Sequence, residues 1–364
     1  MNTKICLITG ATGFIGQHVV VELVRAGYKI IGIDKPDNAY CAAVFNDQKI
    51  RVTANIPLGM RWFENTDMIL KIGDIADKMF MEKLFKEIGK NKLHIDFVLH
   101  FAACATIQQA IKEKEKTWQT NYLGTMNILE NSLEYFRKYP EVFKGFFYAS
   151  TDKVYGEGSS QSYHETDALK PLPYPYDLSK AKADMLVRQI AALEKFPAVI
   201  YRFCNVYGPG DYHISRIVPG TLYRLIHKNE EPILKTYRDK EGTVQSFYRD
   251  MIYIKDLTHA IHMLLQHMET YENRIKLIGE VFNLGTENSY PMQEVIGKIM
   301  SYSGASLKAK EEIVPQGEIK KQCMNYAKLN SIFGFKPEYD LERGLKETVR
   351  WYVSHKGETN DKFN

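Results

Sequence analysis

Up to residue 203 the sequence alternates short apolar runs with longer amphipathic segments, and this alternation constrains the fold more than any other feature. The apolar runs are nearly continuous, as in strands that are buried on both faces of a parallel sheet. The segments between them have the spacing of amphipathic helices. This order predicts an α/β fold with a doubly wound parallel sheet. The predicted strands cover 4–9, 29–34, 68–73, 95–102, 145–150 and 197–203, and the clearest predicted helices cover 14–27, 116–136 and 176–196.

The glycines of "LITGATGFIG" follow the first predicted strand and open the first predicted helix. Gly10, Gly13 and Gly16 have the spacing GxxGxxG instead of the standard GxGxxG. The physics is the same, because glycines let the backbone turn tightly and approach a pyrophosphate at the positive end of a helix. Asp34 ends the second predicted strand, where a carboxylate accepts the ribose hydroxyls of NAD and repels the 2′-phosphate of NADP. Lys35 weakens that repulsion slightly, and the pattern as a whole predicts a site for NAD.

After about residue 205 the alternation ends, the predicted helices become shorter, and glycine and proline are frequent. This change predicts a smaller substrate-binding lobe on the C-terminal side of the sheet. The long segment 35–67 is interpreted as a loop-rich insertion. The predicted divisions are 1–204 for an NAD-binding Rossmann domain, 247–270 for a strand and helix that return to it, 205–246 and 271–355 for the C-terminal substrate-binding lobe, and 356–364 for a tail.

Two short stretches carry candidate catalytic groups. In "PYPYDLSKAKAD", Tyr176 and Lys180 lie four residues apart at the start of a predicted helix, so they share one face of it. The nearby cation lowers the pKa of the tyrosine from its usual value of about 10, which makes the phenol a usable general base for a hydroxyl. In "FFYASTDKVYG", Asp152 and Lys153 follow the strand end at Thr151. That pair is either a solvated strand end or a catalytic acid and base.

Composition excludes several other classes of protein. The net charge of +4 over 364 residues is too small and too dispersed to indicate a nucleic-acid partner. The five cysteines have no CxxC spacing and the sequence has no HExxH motif, so neither a disulfide framework nor a metal site is expected. No apolar run approaches the ~20 residues of a membrane span, and the chain enters a strand with no room for a signal peptide. A cytoplasmic protein without a membrane partner is expected.

These stretches, in their order along the chain, resemble those of the extended short-chain dehydrogenases/reductases, and in particular the nucleotide-sugar epimerases and dehydratases. The resemblance covers nearly the whole chain. The matching motifs are "TGATGFIG", "GDIAD" (73–77), "VLHFAA" (98–103), "TNYLGT" (120–125), "STDKVYG" (150–156), "YDLSK" (176–180), "RFCNVYGPGD" (202–211), "YRDMIYIKD" (248–256) and "FGFKPEYDLERGLKETVRWY" (333–352).

The resemblance implies roles for the residues of these motifs in binding NAD. It places Asp74 beside the adenine, gives Asn121 a role in ordering the active-site helix, and puts Lys180 on the nicotinamide ribose. The implied cofactor-binding residues are Gly10, Gly13, Phe14, Ile15, Gly16, Asp34, Lys35, Asp74, Ile75, Phe101, Ala102, Ala103, Asn121, Tyr176 and Lys180.

The resemblance also implies a nucleotide-diphosphate sugar as substrate. Thr151 is expected to hydrogen-bond the sugar 4-hydroxyl, with Tyr176 as the base. Asn205 and Arg249 match positions that bind the diphosphate, and a guanidinium is the expected partner of phosphate oxygens. Arg216 in "ISRIVPG" is a further candidate for the same role.

The pair Asp152 and Lys153 is most similar to the 4,6-dehydratases of the family, which place an Asp after the Ser/Thr, followed by Glu or Lys. In that reaction, oxidation at C4 by NAD makes the proton on C5 acidic. A base removes this proton, an acid protonates the departing C6 hydroxyl, and the hydride returns to C6. Asp152 is interpreted as the acid, which requires a raised pKa, and Lys153 as the base, which requires a lowered pKa. Because the commonest form of the motif has Glu at the second position, the chain is closer to the dehydratases with an Asp-Lys pair.

Two alternative functions stay open. A nucleotide-sugar 4-epimerase or 4-dehydrogenase needs Thr151, Tyr176 and Lys180 but no Asp-Lys pair. A catalytically inactive binding protein could use the same scaffold. The nucleotide is also open, because "RFCNVYGPGDYHISRIVPG" resembles the CDP-glucose 4,6-dehydratases, whereas "AACATIQQA" lacks the acidic and histidine residues of the thymidine-linked dehydratases.

The resemblance further implies a homodimer, because the family pairs two helices of each subunit in a four-helix interface. The corresponding segments here are 116–136 and the helix that carries Tyr176. Both have more apolar positions than one buried stripe requires. These positions are Trp118, Tyr122, Leu129, Leu133, Leu186 and Ile190.

Overall fold

The chain folds into two compact units, each assembled from separated segments of the sequence. The computed structural model describes residues 3–35, 43–158, 162–314 and 318–359. The first unit comprises Met1–Thr151, Pro173–Arg202 and Thr258–Phe282, and the second comprises Asp152–Leu172, Phe203–Leu257 and Asn283–Asn364.

The boundaries of the two units differ from the divisions predicted from the sequence. Residues 152–172 and 247–257 lie in the second unit, although the prediction placed them with the first. Residues 271–282 lie in the first unit, although they were placed in the C-terminal lobe. The binding role of each unit stays a prediction.

The helices and strands have the following bounds. Up to residue 203 the chain forms β1 (Ile5–Thr9), α1 (Phe14–Arg25), β2 (Lys29–Asp34), α2 (Ala43–Asp47), β3 (Val52–Ala54), a 3-10 helix (Met60–Glu64), β4 (Met68–Ile72), α3 (Lys78–Lys90), β5 (Ile95–His100), α4 (Ile107–Lys112), α5 (Lys114–Trp118), a π-helix (Gln119–Gly124), α6 (Thr125–Lys138), β6 (Gly145–Thr151), a 3-10 turn (Asp152–Tyr155), α7 (Pro175–Glu194) and β7 (Ala198–Phe203). Beyond it the chain forms β8 (Asn205–Tyr207), α8 (Ile217–Leu222), a second π-helix (Tyr223–Lys228), β9 (Ile233–Arg238), β10 (Val244–Ser246), β11 (Tyr248–Tyr253), α9 (Ile254–His267), α10 (Tyr271–Lys276), β12 (Val281–Leu284), β13 (Ser289–Pro291), α11 (Met292–Ser303), β14 (Lys310–Ile313), α12 (Ala327–Phe333), α13 (Leu341–Ser354) and α14 (Lys356–Thr359).

The largest sheet has eight strands in the order β12-β7-β6-β5-β1-β2-β4-β3. The neighbouring pairs from β6 through to β3 are all parallel. From β1, strand order runs outward through β5, β6, β7 and β12 on one side and through β2 and β4 on the other, with β3 at the edge, which is the arrangement of a doubly wound sheet. The predicted fold class is therefore confirmed, and each of the six predicted strands is present.

The core of the first unit is built from the apolar runs that predicted its strands. Every residue of β1 and of β5 is buried. Helix α3 contributes one apolar face with Met81, Leu84 and Ile88, spaced three and four residues apart as helical periodicity requires. Within this core, Phe143 and Phe196 stack with ring centroids 5.5 Å apart.

The interpretation of 35–67 as a loop-rich insertion is only partly right. Strand β3 pairs in parallel with β4 and ends the eight-stranded sheet. Leu58 and Phe63 bury their side chains in the core of the first unit. The segment 36–42 lies outside the described residues. The insertion thus extends the sheet by one short edge strand.

The second unit contains two small sheets. One has the order β10-β9-β14 and the other β13-β11-β8. In the second sheet, β11 pairs antiparallel with β13 and parallel with β8. Helix α13 begins after Asp340, whose carboxylate accepts a hydrogen bond from the backbone amide of Arg343 at 2.7 Å.

The two helical segments predicted to form a dimer interface bury some of their apolar residues within the first unit. Leu129 and Leu133 belong to its core, so these two do not form the second apolar face that the prediction assigned to them. The physical reason is that α6 packs against both α3 and α7 in the same chain, which covers more than one stripe. Leu123 and Met185 remain 42% and 41% exposed.

A fully buried ion pair joins helix α7 to strand β7. The guanidinium of Arg202 donates from Nε and Nη2 to the carboxylate oxygens of Asp184 at 3.0 and 2.9 Å. Neither side chain is exposed to solvent. Such a pair contributes little net stability, but the loss of one partner leaves an uncompensated charge in the core.

We therefore expect Asp184→Asn to lower the free energy of unfolding by about 3–5 kcal/mol, measured by urea denaturation. The control is Glu194→Gln at the end of the same helix, which removes an exposed ion pair with Arg137 of length 2.7 Å. An exposed pair contributes at most about 1 kcal/mol. Equal effects of the two substitutions would contradict the assignment of Asp184 as the charge that holds Arg202.

Candidate functional site

The glycine turn after β1 has a backbone and a close packing that favour glycine. Gly10 has a φ of 69°, in the left-handed region. A Cβ on Gly16 would lie 1.9 Å from the carbonyl oxygen of Gly10, so the first turn of α1 packs directly on the loop. The amide of Gly13 donates to the same carbonyl at 3.1 Å and precedes α1. The loop therefore presents main chain at the amino end of a helix, where an anionic group is stabilised.

Asp34 is held by this loop. Its Oδ2 accepts hydrogen bonds from the backbone amide and the hydroxyl of Thr12 at 2.9 and 2.7 Å. Its Oδ1 accepts from the amide of Lys35 at 2.9 Å. The carboxylate is only 5% exposed and has a defined orientation at the end of β2. The sequence singled out Asp34 but not Thr12, although a threonine within a glycine turn is a usable signal.

Lys35 forms an ion pair with a second residue predicted to contact the cofactor. Its Nζ lies 2.9 Å from Oδ2 of Asp74. The other oxygen of that carboxylate, Oδ1, accepts from the amide of Ala76 at 2.9 Å. The positive charge of Lys35 is thus compensated by Asp74 and does not stand alone beside Asp34.

The remaining residues of the implied cofactor site have mixed exposure. Ile75 is 3% exposed and packs so closely on Gly124 that a Cβ there would lie 2.6 Å from its side chain. Phe14 is buried in the first turn of α1. The partly exposed members are Ile15, Phe101, Ala102 and Ala103.

Lys180 is a buried cation on helix α7. Its ammonium donates to the backbone carbonyl of Ala149, on β6, and lies 4.3 Å from the ring centre of Tyr148. Burial lowers the pKa of Lys180 to about 7, against a smaller opposing effect of the Asp184 carboxylate. Tyr176 lies one turn earlier on the same helix, and Thr151 ends the strand that holds the ammonium.

Asn121 ties that helix to a neighbouring loop. It lies in the π-helix Gln119–Gly124, a distortion that occurs frequently at functional sites. Its Oδ1 accepts from the amide of Cys104 at 2.7 Å, and its Nδ2 donates to Oγ of Ser179 at 3.1 Å. Because Ser179 precedes Lys180, this contact agrees with the predicted ordering role, which stays a prediction.

His100 is a buried neutral histidine in the same region. Thr125 donates its hydroxyl proton to the carbonyl of Asn121 at 2.7 Å, so the Nε2 of His100 must donate to the Thr125 oxygen, at 2.9 Å. The Nδ1 then accepts from the hydroxyl of Thr9 at 2.6 Å. Burial, and next the charge of Lys180, lower the pKa of His100 to about 3.

In the second unit, Asp152 and Lys153 form the start of the 3-10 turn Asp152–Tyr155. Asp152 is 3% exposed. The Nζ of Lys153 donates to Oε1 of Gln322 at 3.0 Å. Gln322 is fully buried, and no sequence motif pointed to it. This arrangement differs from a strand end that simply enters solvent.

The residues predicted to bind a diphosphate have protein partners. Arg249 is 6% exposed, and its Nη2 donates to Oε1 of Glu318 at 2.8 Å. Arg216 donates from Nη1 to Oδ2 of Asp211 at 3.0 Å. A phosphate at either guanidinium therefore has to share it with a carboxylate or displace that carboxylate.

Asn205 is held by main chain of the neighbouring strand in the same unit. Its Nδ2 donates to the carbonyl of Asp250 at 3.3 Å. The Asp250 side chain accepts from the amide and hydroxyl of Thr286 and from the amide of Met324. Burial raises the pKa of Asp250 to about 6 in spite of these bonds. The sequence did not single out Asp250, which connects β11 to two loops.

Across residues 3–35, 43–158, 162–314 and 318–359, no group of three or more His, Cys, Asp or Glu side chains has a geometry that could hold a metal ion. Within the same ranges, every helix is too short or too polar to cross a membrane.

Comparison with known proteins matches this chain to enzymes that act on nucleotide sugars. The family model described as GDP-mannose 4,6 dehydratase matches residues 7–348. A mouse protein named dTDP-D-glucose 4,6-dehydratase is 30% identical over 96% of this chain and 88% of its own length. A Bacillus cytotoxicus protein named UDP-N-acetyl-alpha-D-glucosaminuronate decarboxylase is 29% identical over 96% of this chain and 98% of its own length.

Solved structures of similar proteins share the fold. The dTDP-glucose 4,6-dehydratase of Bacillus anthracis, solved in complex with NAD, is 25% identical, covers 98% of both chains and has a TM-score of 0.74. The UDP-glucose 4-epimerase of Thermotoga maritima is 24% identical, with 96% of this chain and 99% of that chain covered and a TM-score of 0.75. The latter likeness shows the fold alone.

The parallel sheet and the ordered motifs define an extended short-chain dehydrogenase/reductase. Within that class, the chain belongs to the GDP-mannose 4,6-dehydratase family. Its relatives carry the names of dehydratases and of a decarboxylase, so membership establishes an enzyme family acting on nucleotide sugars and leaves the reaction to be assigned.

The folded protein holds His100 neutral. Below the usual histidine pKa of 6.5, the unfolded chain therefore binds a proton at this residue, and the folded chain does not. The free energy of unfolding should therefore fall as the pH drops below 6.5, by up to ~1.4 kcal/mol per pH unit from this residue. We expect His100→Gln to reduce that slope between pH 6.5 and 5, measured by urea denaturation at constant ionic strength. The exposed His94 supplies the control His94→Gln, which should keep the slope of the wild type. Equal slopes for wild type and His100→Gln would refute the assignment.

Proposed function

We propose that the protein is an NAD-dependent nucleotide-sugar 4,6-dehydratase. The observation that carries the proposal is the state of the pair after Thr151: Asp152 is buried, and the Lys153 amine is held at 3.0 Å by the buried side chain of Gln322. An amine fixed in this way has the defined position that proton transfer requires. The mouse relative, named dTDP-D-glucose 4,6-dehydratase, supports the same reaction.

The glycine turn and Asp34 fit a dinucleotide. The turn leaves no room for a Cβ at Gly10 or Gly16, which brings its main chain within reach of a pyrophosphate. Asp34 is oriented by Thr12, and Lys180 would hold the nicotinamide ribose. When bound, NAD supplies the oxidation at C4 and the later reduction at C6.

The other steps belong to side chains of this protein. Tyr176 takes the proton of the sugar 4-hydroxyl, and Thr151 hydrogen-bonds that hydroxyl. The Lys180 cation on the same helix lowers the free energy of the phenolate that this transfer requires. Lys153 then removes the C5 proton, and Asp152 protonates the departing C6 hydroxyl, which leaves as water. Asn205, Arg249 and Arg216 bind the diphosphate.

We expect the wild-type enzyme to remove one water from one member of a panel of UDP-, TDP-, CDP- and GDP-hexoses, detected by mass spectrometry. In deuterated water, the product should carry deuterium at C5. Lys153→Met should still reduce bound NAD, seen as dihydronicotinamide absorbance, and then stall before water is lost. Losing one positioned acid or base costs about 10²–10⁴ in rate, which is enough for that intermediate to accumulate.

Tyr176→Phe is the matched control, because it removes the first proton transfer and should abolish NAD reduction as well. Tyr174→Phe should leave both steps unchanged, since the residue four positions later is Leu178 and not a cation. An unchanged mass with a new isomer would identify a 4-epimerase, and net reduction of added NAD would identify a 4-dehydrogenase. If Lys153→Met dehydrates the substrate at the wild-type rate, Lys153 has no part in the mechanism.

We propose that the cofactor is NAD and not NADP, because the Lys35 charge is compensated by Asp74 and the Asp34 carboxylate stands at the end of β2. Asp34→Ala should weaken binding of NAD relative to NADP by about tenfold, the equivalent of one hydrogen bond to a charged group. Calorimetry on wild type and variant gives both dissociation constants, so NADP serves as the internal control. Tighter binding of NADP than of NAD by the wild type would overturn the proposal.

We further propose a homodimer formed through α5, α6 and α7. Leu123, in the π-helix that joins α5 to α6, and Met185, on α7, are exposed large apolar side chains, and Trp118 on α5 is partly exposed. Burial of such side chains in a partner fits an obligate interface. Met185→Asp should shift the mass measured by light scattering from dimer toward monomer. Met79→Asp is the control, because Met79 is 65% exposed on α3 and outside the proposed interface. A monomeric wild type at micromolar concentration would refute the proposal.

A further inference from the structure

The backbone of Gln322 is hydrogen-bonded to other residues of the second unit through both its amide and its carbonyl. Its amide donates to the carbonyl of Tyr248 at 3.1 Å, and its carbonyl accepts from the amide of Asp250 at 3.0 Å. The hydroxyl of Ser289 donates to the same carbonyl at 3.0 Å. The chain at Gln322 therefore runs parallel to β11 next to the isolated bridge between Tyr248 and Lys321, and main-chain hydrogen bonds define where its side chain starts.

The side-chain amide of Gln322 has one satisfied end and one unsatisfied end. Its Oε1 accepts from Nζ of Lys153, and this contact fixes the orientation of the amide, because an NH₂ group facing an ammonium would place donor against donor. The Nε2 is buried and has no hydrogen-bond partner within the described residues. A buried donor without an acceptor is costly, and such groups in native proteins commonly have a functional reason.

Packing alone does not explain this arrangement. A glutamine retained only for its shape could be replaced by an apolar side chain of the same size, without the cost of the unsatisfied donor. A lysine that only needed solvation could extend into water, where its ammonium is better hydrated. Here the half-buried Lys153 instead donates a hydrogen bond to the amide oxygen of Gln322, a side chain that is fully buried.

We propose that Gln322 is the positioning residue for Lys153 and that its Nε2 donates to an oxygen of the bound nucleotide sugar. This inference rests on the proposed function, in which Lys153 is the base for the C5 proton. A neutral amine has two N–H groups and one lone pair, so donation of one N–H to Oε1 restricts the rotation of the amine and directs the lone pair.

The proton transfer balances with these groups. The C5–H bond breaks, its electron pair enters the enolate of the C4 ketone, and the proton forms the third N–H bond of Lys153. The amine becomes an ammonium, and its hydrogen bond to Oε1 becomes charge-assisted and therefore stronger. Gln322 thus stabilises the charge that develops on Lys153 during the step and orients the amine before it.

Gln322→Leu removes both hydrogen bonds at nearly constant size. We expect reduction of bound NAD by the sugar to persist, while exchange of the C5 proton with deuterated water slows by about 10- to 100-fold. The double variant Gln322→Leu with Lys153→Met should be no slower than Lys153→Met alone, because residues that act as a unit are not additive. The KM for the nucleotide sugar should rise severalfold in Gln322→Leu, because the Nε2 donor is lost.

Gln322→Glu supplies a readout that a merely structural role would not move. It keeps the shape of the side chain and places a carboxylate beside the amine, which favours the ammonium form and raises the pKa of Lys153. The acid limb of the pH–rate profile for C5 exchange should therefore move to higher pH. Gln293→Glu, an exposed position on α11 in the same unit, is the charge-matched control and should leave the profile unchanged.

The two proposals fail in different ways. If the wild type removes no water from any nucleotide hexose in the panel, the proposed function is wrong. If the wild type dehydrates its substrate but Gln322→Leu exchanges C5 at the wild-type rate, or Gln322→Glu leaves the acid limb in place, the positioning role alone is wrong. Thermal unfolding of each variant confirms that the folded protein is being compared.

Discussion

The structure of the first unit depends on the burial of parallel strands on both faces. Strands buried in this way must satisfy their backbone hydrogen bonds with each other, and their carboxyl ends then lie at one edge of the sheet. Strand β1 ends before the glycine turn, β2 ends at Asp34, and β6 ends at Thr151. The groups that carry the proposed chemistry of this unit are therefore placed by the sheet.

Three buried polar or charged side chains of the first unit, Lys180, Asp184 and His100, each have a specific hydrogen-bond partner. The ammonium of Lys180 donates to the carbonyl of Ala149, and the carboxylate of Asp184 accepts from the guanidinium of Arg202. His100 stays neutral between two threonine hydroxyls because burial and the charge of Lys180 disfavour its protonated form. A buried cation that is not tied to a carboxylate has a low pKa and remains available to act on a neighbouring phenol, which is the use proposed for Lys180 with Tyr176.

In the second unit, three cationic side chains have side-chain partners of two kinds. Arg249 and Arg216 are paired with carboxylates of their own unit, so their charges are neutralised when no phosphate is present. The ammonium of Lys153 donates to an uncharged amide, that of Gln322. An amide orients an amine without stabilising the protonated form as strongly as a carboxylate would. Such a partner therefore suits an amine that has to be neutral before it accepts a proton.

The sequence by itself determined six of the eight strands of the sheet, the glycine turn and the pair Tyr176 and Lys180, because each has a signal in local periodicity or in spacing within one turn. It did not predict β3, since the three residues of Val52–Ala54 are too few for a periodic signal and the strand exists only by pairing with β4. Thr12 and Asp34 lie 22 residues apart, and Lys153 and Gln322 lie 169 apart. Those contacts, and the pairing of Arg249 with Glu318, 69 residues away, were decided by the tertiary structure. The physical reason is that a hydrogen bond between distant residues leaves no pattern in either stretch, and forms only after backbone pairing has brought the two side chains together.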